Sequence, residues 1–460
     1  MYTGHNQHDK DKYLKELSEK VSTMVSAIGS HHHVQVIYNE SNDGPASIVA
    51  KKVAENLERM KNEGHTYGAL KPAPLTMIIM DRTVDPVTPL LHDLYYHPLV
   101  FDLLEIKDNM YEFETVNEKG FKNMKIVKFN ETNSLWCKFR NTAFVTALQT
   151  IVSEFNHFIN NNSAAKVQKG ELDNLDCEKM AEIVKGMPHY QDMMNEYSFH
   201  IQLLEKTAAF FKSRNLVQAC ELEQSVVTGS DAKGKPYKFS AFGELNNFKT
   251  SEDRIRFILI LVLSHSLDDS SFAKLKKSLT PEEKLYLESL SVLGLRPGRY
   301  KLNLQNVNKV EGNPHADYDR TTPKVREVVE QIRVGNMPTG FTSIVVPKDE
   351  PFPNLKVSKG DMLKQKFNKP GADDTVKPIF CVFMIGGIGT SEVRELRDIQ
   401  TDKELGGVVM IVGGTNYFTP LDYLHELKII NQEDDEPEET KVNVGHKTQF
   451  DKDEEALLLA

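Results

Sequence analysis

The sequence predicts a parallel-type α/β sheet domain built from both ends of the chain, with a mostly helical domain inserted between them. Uninterrupted apolar runs of strand length lie near both ends, at residues 75–80 and 379–385. Such runs are typical of strands that are covered on both faces, as in a parallel sheet. Between the runs, apolar residues recur mainly at helical spacing. Because the α/β pattern stops and later resumes, we expect one sheet whose sequence is interrupted by a helical domain.

The length of 460 residues predicts two or three domains, because single cores stop growing at roughly 250–300 residues. The order of predicted elements divides the chain into four segments. These are a first α/β segment (1–107), a mostly helical domain (108–332) with a protruding helical hairpin near 190–263, a connector with the second α/β segment (333–431), and an acidic tail (432–460). The tail contains EDDEPEE, a composition that is typical of disordered chain.

The composition, 40% hydrophobic and 27% charged residues, is that of an ordinary soluble globular protein. No apolar run approaches the roughly 20 residues that a membrane-spanning helix needs, and the N-terminal stretch is too polar for a signal peptide. A net charge of −10 argues against a general nucleic-acid binder. The four cysteines form neither a CxxC pair nor a zinc-binding spacing, which favours a reduced, cytosolic protein.

The first α/β segment predicts alternating helices and strands. An amphipathic helix is expected at 12–28, a strand at 34–38, a second helix at 46–60, and the apolar strand at 75–80. Strand, helix and strand in succession are typical of a βαβ unit, whose two strands are parallel. We therefore expect a doubly wound sheet in this part of the chain.

A polar turn follows the apolar strand and carries five residues of structural interest. They are Asp81, Arg82, Asp85, Thr88 and Pro89. Thr88 is a candidate helix cap with Pro89 at the first helical position, although Pro98 would interrupt the helix that follows. We expect Arg82 to neutralise one of the two aspartates, so that the turn is held by a structural network of ion pairs and hydrogen bonds.

The helical domain begins with a short predicted strand pair within residues 109–129. The clearest periodicity in the chain then runs from Met187 to Phe211, where apolar residues recur in alternating steps of three and four. This heptad pattern predicts a long helix that packs along one seam against another helix. Two interpretations stay open, because the seam could be buried within its own domain or could continue onto the coiled coil of a partner.

The loop at 229–249 is rich in glycine, serine, aspartate, lysine and asparagine, and it separates predicted helices at 216–227 and 251–263. Loops of this length are uncommon inside a compact domain unless they are functional or disordered. Helix, long loop and helix therefore predict a protruding hairpin.

Residues 337–377 show no steady period and are expected to form a connector. Strands at 379–385 and 408–412, and a helix that begins at Thr419, complete the second α/β segment.

Two motifs raise the question of an enzyme or a cofactor site. GGIGTS at 386–391 follows a strand, but it lacks the lysine of a P-loop, and Glu392 stands where a dinucleotide fingerprint needs a small residue. Asp81 and Asp85 lie where α/β enzymes keep catalytic groups, but they are spaced DxxxD and not DxD. No GxSxG or HExxH motif occurs. We predict no catalytic, cofactor-binding or metal-binding residues, with a hydrolase or phosphatase that uses Asp81 as the alternative.

Three stretches together carry a family resemblance. DRxxDxxTPLLHxxxYxxxxxDLL at 81–104 resembles the hallmark of the SM (Sec/Munc) family, the syntaxin-binding regulators of SNARE-driven membrane fusion. FCVFMIGG at 380–387, followed by SEVR, is similar to the family's late strand and glycine turn, and TGSDAKGKPYKFSA at 228–241 resembles the loop of its helical hairpin. The resemblance covers about residues 12–427 in collinear order. The family normally begins with an additional α/β domain, whose residues for the N-terminal peptide of syntaxin have no counterpart here.

The resemblance implies a non-enzymatic regulator of vesicle docking and fusion in secretion (exocytosis), which scaffolds SNARE assembly without a cofactor. Its expected partners are syntaxin-type and vesicle SNARE proteins, with no nucleic acid. The expected location is cytoplasmic, with peripheral recruitment to plasma or secretory membranes through SNAREs. Heptad side chains and loop lysines on the hairpin are the candidate partner-binding residues: Met194, Tyr197, Ile201, Lys233, Lys235 and Lys238. A degenerate family fragment that folds but binds no syntaxin is a further alternative.

Overall fold

The computed structural model describes fourteen parts of the chain. They are residues 7–28, 33–41, 44–63, 74–104, 106–116, 122–161, 177–231, 233–237, 244–265, 267–298, 304–306, 320–347, 378–401 and 408–430. The expected acidic tail and most of the expected connector lie outside these residues. Within the described parts, no helix is long and apolar enough to cross a membrane.

The first segment alternates helices and strands, as predicted from its apolar pattern. It contains α1 (Gln7–Ala27), β1 (Val34–Asn39), α2 (Pro45–Asn62), β2 (Leu75–Asp81) and α3 (Tyr96–Leu103), with short 3-10 turns at Arg82–Val84 and Thr88–Leu90. Pro98 does not interrupt α3 because it is the third residue of that helix. Backbone N–H groups in a first helical turn have no intrahelical acceptor, so a proline there removes no helical hydrogen bond.

The middle of the chain is mostly helical after one strand pair, as predicted. It contains β3 (Met110–Val116), β4 (Lys122–Lys128), α4 (Ser134–Phe139), α5 (Phe144–Asn161), α6 (Cys177–Ser213), α7 (Leu216–Thr228), a 3-10 turn (Glu244–Asn247), α8 (Ser251–Ser264), α9 (Asp269–Ser278) and α10 (Pro281–Val292). The long α6 contains the heptad stripe. The left-handed backbone of Asn215, with φ of 57°, ends α6 and separates it from α7.

The remaining elements return to the α/β pattern. They are β5 (Gln305–Asn306), β6 (Thr321–Thr322), α11 (Lys324–Arg333), β7 (Phe341–Val346), β8 (Ile379–Ile385), β9 (Ile388–Gly389), α12 (Thr390–Thr401), β10 (Val409–Gly414), β11 (Tyr417–Phe418) and α13 (Pro420–Ile429). Thr419 caps α13 through a reciprocal capping box with Asp422, which satisfies donors that a helix N-terminus otherwise leaves open.

Strands from both ends of the chain form one five-stranded sheet in the order β10-β8-β2-β1-β7. The two apolar runs pair with each other directly, because β8 lies parallel to β2 from the pair Leu75 and Ile379 to the pair Asp81 and Ile385. The strands β10, β8, β2 and β1 are mutually parallel. The prediction of a single sheet with sequence from both ends therefore holds.

The strand β7 corrects the expectation that this part of the chain is only a connector. It pairs antiparallel with β1 at the edge of an otherwise parallel sheet. Five of its six residues are half-buried, so neither a continuous apolar run nor a clean alternation marks it in the sequence. An edge strand has one neighbour only, and its side chains need not match the pattern of a central strand.

Both faces of the sheet are covered by helices, which explains the continuous apolar sequence of β2. On one face, α1 and α2 pack on alternate residues such as Met77 and Ile79. On the other face, α11 and α12 pack on Ile78 and Met80. A strand that meets helices on both sides has no position at which a polar side chain reaches water.

Two further cores hold the helical part. One joins α3, β3, β4, α4, α5 and α6. The other joins the turn at Val87–Leu91 to α7, α8, α9 and α10, and it also contains Tyr423, Leu424 and Leu427 of α13. The last helix therefore packs in a helical core, although its sequence follows the last long strand of the sheet. The predicted domain boundaries stay predictions, since these cores draw on more than one segment.

We expect residues 1–107 to be insoluble or molten when they are produced alone. In the whole protein, β7 pairs with the outer edge of β1, and β8 pairs with the outer edge of β2. The fragment would expose both edges and lose α11 and α12 from one face, and unpaired edges of this kind promote aggregation. Size-exclusion chromatography and thermal melts of fragment and full chain test this. A soluble fragment with a sharp cooperative melt would refute the interdependence of the two segments.

Candidate functional site

Asp81 is buried and is held entirely by its neighbours in the fold. Its Oδ2 atom accepts a hydrogen bond from Asn39 Nδ2 at 3.0 Å, and its backbone N–H donates to Asn39 Oδ1 at 3.1 Å. Its Oδ1 atom accepts from the backbone N–H of Thr83 at 3.1 Å and from the Thr83 hydroxyl. Only 5% of the residue is exposed. The carboxylate therefore organises the end of β2 and presents no open face to a substrate.

The salt bridge of Arg82 is with Glu392 and not with a neighbouring aspartate, which corrects the expectation drawn from its position. Its guanidinium meets Glu392 in α12, with Nη1 to Oε2 at 2.8 Å and Nη2 to Oε1 at 2.6 Å. Both side chains are buried. Burial by itself lowers the pKa of Arg82, but the carboxylate of Glu392 outweighs that effect and raises it. The sequence could not reveal this pair because 310 positions separate its partners.

Asp85 caps the following turn and also anchors a helix from the other end of the chain. Its Oδ1 atom accepts from the backbone N–H groups of Val87 at 3.1 Å and Thr88 at 2.9 Å. Its Oδ2 atom accepts from the Thr88 hydroxyl at 2.5 Å and from the N–H of Lys324, the first residue of α11, at 3.1 Å. Thr88 therefore does not cap a long helix, although its position predicts one; its own N–H and hydroxyl are bound by Asp85. Pro89 is the second residue of a 3-10 turn and not the first residue of a long helix.

The glycine turn between β8 and α12 is filled by the protein's own side chains. A Cβ atom on Gly387, which has φ of +89°, would lie 2.4 Å from the ring of Phe418. Glu392 accepts a hydrogen bond from the N–H of Gly389 at 2.9 Å. The carboxylate that pairs with Arg82 therefore also satisfies the start of α12. Phe418 covers Gly387 and Glu392 occupies the N–H of Gly389, so the turn is not arranged as a phosphate cradle.

His92 connects the turn to the helical hairpin through a buried cluster of charges. Its Nδ1 atom lies 2.8 Å from Glu223 Oε1 in α7, and its Nε2 atom lies 3.3 Å from Asp253 Oδ1 in α8. Burial lowers the pKa of His92 and Arg256 lowers it further, but Glu223 and Asp253 outweigh both and raise it to about 9. His92 is therefore protonated at neutral pH and bridges two carboxylates.

A second buried pair reinforces the same junction. Arg256 in α8 donates from Nη1 to both carboxylate oxygens of Asp102 in α3 at 2.9 Å, and from Nε to the carbonyl of Leu90 at 2.7 Å. Neither side chain of the pair is more than 2% exposed. The base of the hairpin is thereby fixed to the motif stretch by charge-assisted bonds, which are stronger than neutral ones.

The heptad stripe of α6 faces the interior of the helical part over the residues proposed for partner binding. Tyr197 is buried, and its ring lies 5.5 Å from Phe155 and 5.7 Å from Phe158 of α5. Met194 and Ile201 are half-buried and pack with residues of the same core regions. In this conformation Tyr197 therefore belongs to the core, in agreement with the first of the two interpretations of the stripe.

The hairpin loop exposes two of the three predicted lysines. Lys233 and Lys235 are exposed on a tight turn, where Asp231 Oδ1 accepts from their backbone N–H groups at 2.9 and 2.8 Å. Lys238 lies outside the described residues. The structure thus presents the cations near the start of the loop, and their role in partner binding stays a prediction.

Arg320, directly before β6, is a buried residue that holds the hairpin from outside and that sequence reasoning did not find. Its guanidinium donates to the carbonyl of Ser230 at 3.0 Å, to the carbonyl of Glu221 at 3.3 Å and to the Ser225 hydroxyl at 3.0 Å. These contacts tie the end of α7 and the start of the loop to the strand β6. An isolated arginine in a polar stretch carries no periodic signal, so only its tertiary contacts reveal this role.

We expect Glu392→Gln to lower the free energy of unfolding by about 3–5 kcal/mol, because it leaves the buried guanidinium of Arg82 without a compensating charge. Chemical denaturation measures the loss. As a control, Glu154→Gln removes one partner of the exposed Lys138–Glu154 pair and should cost less than about 1 kcal/mol. Equal losses in the two variants would contradict the structural importance of the buried pair.

We expect the stability that His92 contributes to be complete below pH 6.5 and to be lost as the pH rises through about 9. The sign follows because the folded-state pKa is above the ordinary value, so the folded protein holds the proton more tightly than the unfolded chain. Unfolding free energies from pH 6 to pH 10 should therefore fall about 1–3 kcal/mol more in the parent than in His92→Gln. Parallel pH profiles would show that His92 is not the titrating group.

A model of the Sec1 family matches residues 1–426. The chain is 27% identical over 406 residues to protein transport protein sec1 of Dictyostelium discoideum, a match that covers 82% of this chain and 66% of that protein. It is 22% identical over 414 residues to the SNARE-interacting protein KEULE of Arabidopsis thaliana, which covers 78% of this chain and 61% of the relative. The chain therefore spans less than two thirds of the length of either relative.

Solved structures share the fold over most of the chain. The Unc18–syntaxin 1 complex from Monosiga brevicollis has a TM-score of 0.70 at 20% identity, covering 91% of this chain and 71% of that chain. The SM protein Vps45 in complex with the Qa SNARE Tlg2 has a TM-score of 0.67 at 15% identity, covering 92% and 70%. The matched region begins at the first residue and ends within α13, so the elements that build the sheet and the hairpin all lie inside it, and the chain belongs to the Sec1 family.

Proposed function

We propose that the chain binds syntaxin-type and vesicle SNARE proteins and regulates vesicle docking and membrane fusion by scaffolding SNARE assembly. The observation that carries this proposal is the fold shared with two structures solved as complexes, one with syntaxin 1 and one with the Qa SNARE Tlg2. The family match and the relative described as a SNARE-interacting protein support the same role.

The helical hairpin is the surface that we assign to SNARE helices. Its base is fixed to the motif stretch by the ion pairs of His92 and Arg256. Near the break between α6 and α7, the hairpin exposes 47% of Phe210 and 65% of Val217. Exposed apolar side chains at this end of α7 are suited to the apolar seam of an amphipathic helix, and the exposed lysines beyond its other end are suited to an acidic surface.

Scaffolding accounts for an effect on assembly without covalent chemistry. Two SNARE chains held in register on one surface lose their translational and rotational freedom before they pair, so their association becomes effectively intramolecular. We propose a non-enzymatic role for this reason and because Asp81 is enclosed by Asn39 and Thr83. Met194 and Ile201, which are half-buried on α6, are the further contact residues that we propose.

Secretion at the plasma membrane is the trafficking step that we propose, on the resemblance to the sec1-type relatives. The protein would work from the cytoplasm and reach plasma or secretory membranes peripherally through its SNARE partners. The formal net charge of −10 disfavours direct attraction to anionic lipid headgroups or to nucleic acid, which is consistent with recruitment by proteins.

Isothermal titration of the full chain with syntaxin and vesicle-SNARE helices tests the proposal, beside a phosphatase assay with a generic phosphate ester. We expect saturable SNARE binding and no turnover. Deletion of 231–243, which keeps buried Leu245 and the Ser230 carbonyl that Arg320 binds, should leave the chain folded and change SNARE affinity. Charge reversal of Lys233, Lys235 and Lys238 should weaken binding severalfold, and more so at low salt, because exposed charges are screened beyond about 10 Å at 0.1 M salt.

Reversal of Lys274, Lys277 and Lys284 provides the matched control, since these three lysines are exposed on α9 and α10 outside the hairpin loop. An equal effect in the control, or unchanged affinity in the loop variants, would exclude the loop as the contact. Absence of SNARE binding in the parent would instead identify a chain that folds but binds no syntaxin, and phosphate-ester hydrolysis that Asp81→Asn abolishes would support the enzyme.

A further inference from the structure

A cavity of about 450 Å³ lies outside the carboxyl ends of the sheet strands, on the side that faces α3, α4 and β4. The sheet side contributes residues of β10, β11 and α12, and the helical side contributes aromatic and polar residues around Trp136. In α/β sheets, ligands bind in crevices at the carboxyl ends of strands. Ile388 of the glycine turn lines one side of the cavity, whereas no residue of the hairpin loop does.

Aromatic rings form the wall of the cavity on the helical side. The ring of Trp136 lies 4.6 Å from Phe129, 4.9 Å from His97 and 5.9 Å from Phe101, and all four rings line the space. Tyr417 closes another side, with 41% of the residue exposed and its hydroxyl 3.1 Å from His97 Nε2. The four rings are at most 6% exposed and reach the space only with small accessible edges, so Tyr417 presents the main aromatic surface to the ring of a ligand.

Positive charge is concentrated at the same place. Two guanidinium groups, Arg140 and Arg397, and one carboxylate, Glu131, line the cavity, so the lining carries one net positive charge in a chain of net charge −10. Glu131 binds Arg140 through two hydrogen bonds of 2.6 and 3.2 Å, but its side chain is 73% exposed. Burial lowers the pKa of Arg397, and the nearby guanidinium of Arg140 lowers it further. An anion between the two arginines would relieve their mutual repulsion.

His97 supplies a polar atom that the fold does not use. Only 5% of the residue is exposed, and its Nδ1 atom has no hydrogen-bond partner within the described part of the chain. Burial lowers the pKa of His97 to about 3, with contributions from Arg397, Arg140 and Arg394, so the ring is neutral. Because Nδ1 is fully buried, a ligand in the cavity would not contact it. The neutral ring therefore contributes only its accessible edge to the wall, and Arg140, Arg397 and Glu131 set the charge of the lining.

We propose that this cavity binds a small organic phosphate with a planar ring, of the nucleoside phosphate class. The phosphate would meet Arg140 and Arg397, whose planar guanidinium groups match phosphate oxygens. The ring would lie against the exposed Tyr417 and the accessible edge of Trp136. The volume falls within the range of about 300–1,000 Å³ that is usual for small-molecule sites.

Trp136 makes the proposal directly testable, because it is the single tryptophan of the chain and lines the cavity. The full-length protein is titrated with AMP and ATP while tryptophan emission is recorded, with excitation at the red edge where adenine does not absorb. Adenosine and inorganic phosphate serve as probes that each carry half of the ligand. We expect a saturable change in tryptophan emission with AMP and ATP. The concentration at half-saturation should be at least tenfold lower than with adenosine or inorganic phosphate alone.

Arg397→Gln and Arg140→Gln should each weaken nucleotide binding about tenfold or more, whereas Arg59→Gln, which removes an exposed guanidinium of α2 outside the cavity, should leave it unchanged. Circular dichroism checks that each variant is folded. The proposal would be overturned if the tryptophan emission of the parent protein showed no saturable change with AMP or ATP, whatever the variants do. Binding of inorganic phosphate as tight as that of AMP, or an equal loss in Arg59→Gln, would overturn it as well.

Discussion

The buried ion pair between Arg82 and Glu392 is the contact on which the rest of the structure depends. It joins the end of β2 to the first turn of α12, and so it connects the two segments whose strands pair in the middle of the sheet. A charge pair removed from water stabilises a fold only when its geometry is close to ideal. The register of β2 against β8 fixes that geometry, and Gly386 and Gly387 of the turn next to the pair leave no room for a Cβ atom.

The polar residues that follow β2 act as a hub for three parts of the protein. Asp85 holds the start of α11, His92 bridges carboxylates of α7 and α8, and Arg256 of α8 binds Asp102 of α3. A motif rich in acids at the end of a strand would suit an active site, but here each carboxylate is already bound by the fold. The chemistry of the motif is therefore that of a scaffold, and the hairpin it supports is a rigid base with an exposed loop, as a SNARE-binding surface would require.

The sequence by itself determined the elements whose signal is local. The apolar runs at 75–80 and 379–385 predicted two central strands, the heptad of α6 predicted a long helix packed along one seam, and Thr419 with Pro420 predicted the start of α13. These signals are readable because a strand or helix that is covered by its neighbours repeats its apolar residues with a fixed period. The motif residues also supported the family resemblance, which the family match confirms.

Only the tertiary structure decided which side chains meet. Arg82 could be expected to pair with a neighbouring aspartate, yet its partner lies 310 positions away, and Arg320 holds the hairpin loop without any sequence pattern. The edge strand β7 was missed because one neighbour and partial burial impose no strict alternation. The cavity beside Trp136 is likewise formed from separate segments. Pairing of this kind depends on how the chain brings distant residues together, and periodicity records only whether each residue faces the core.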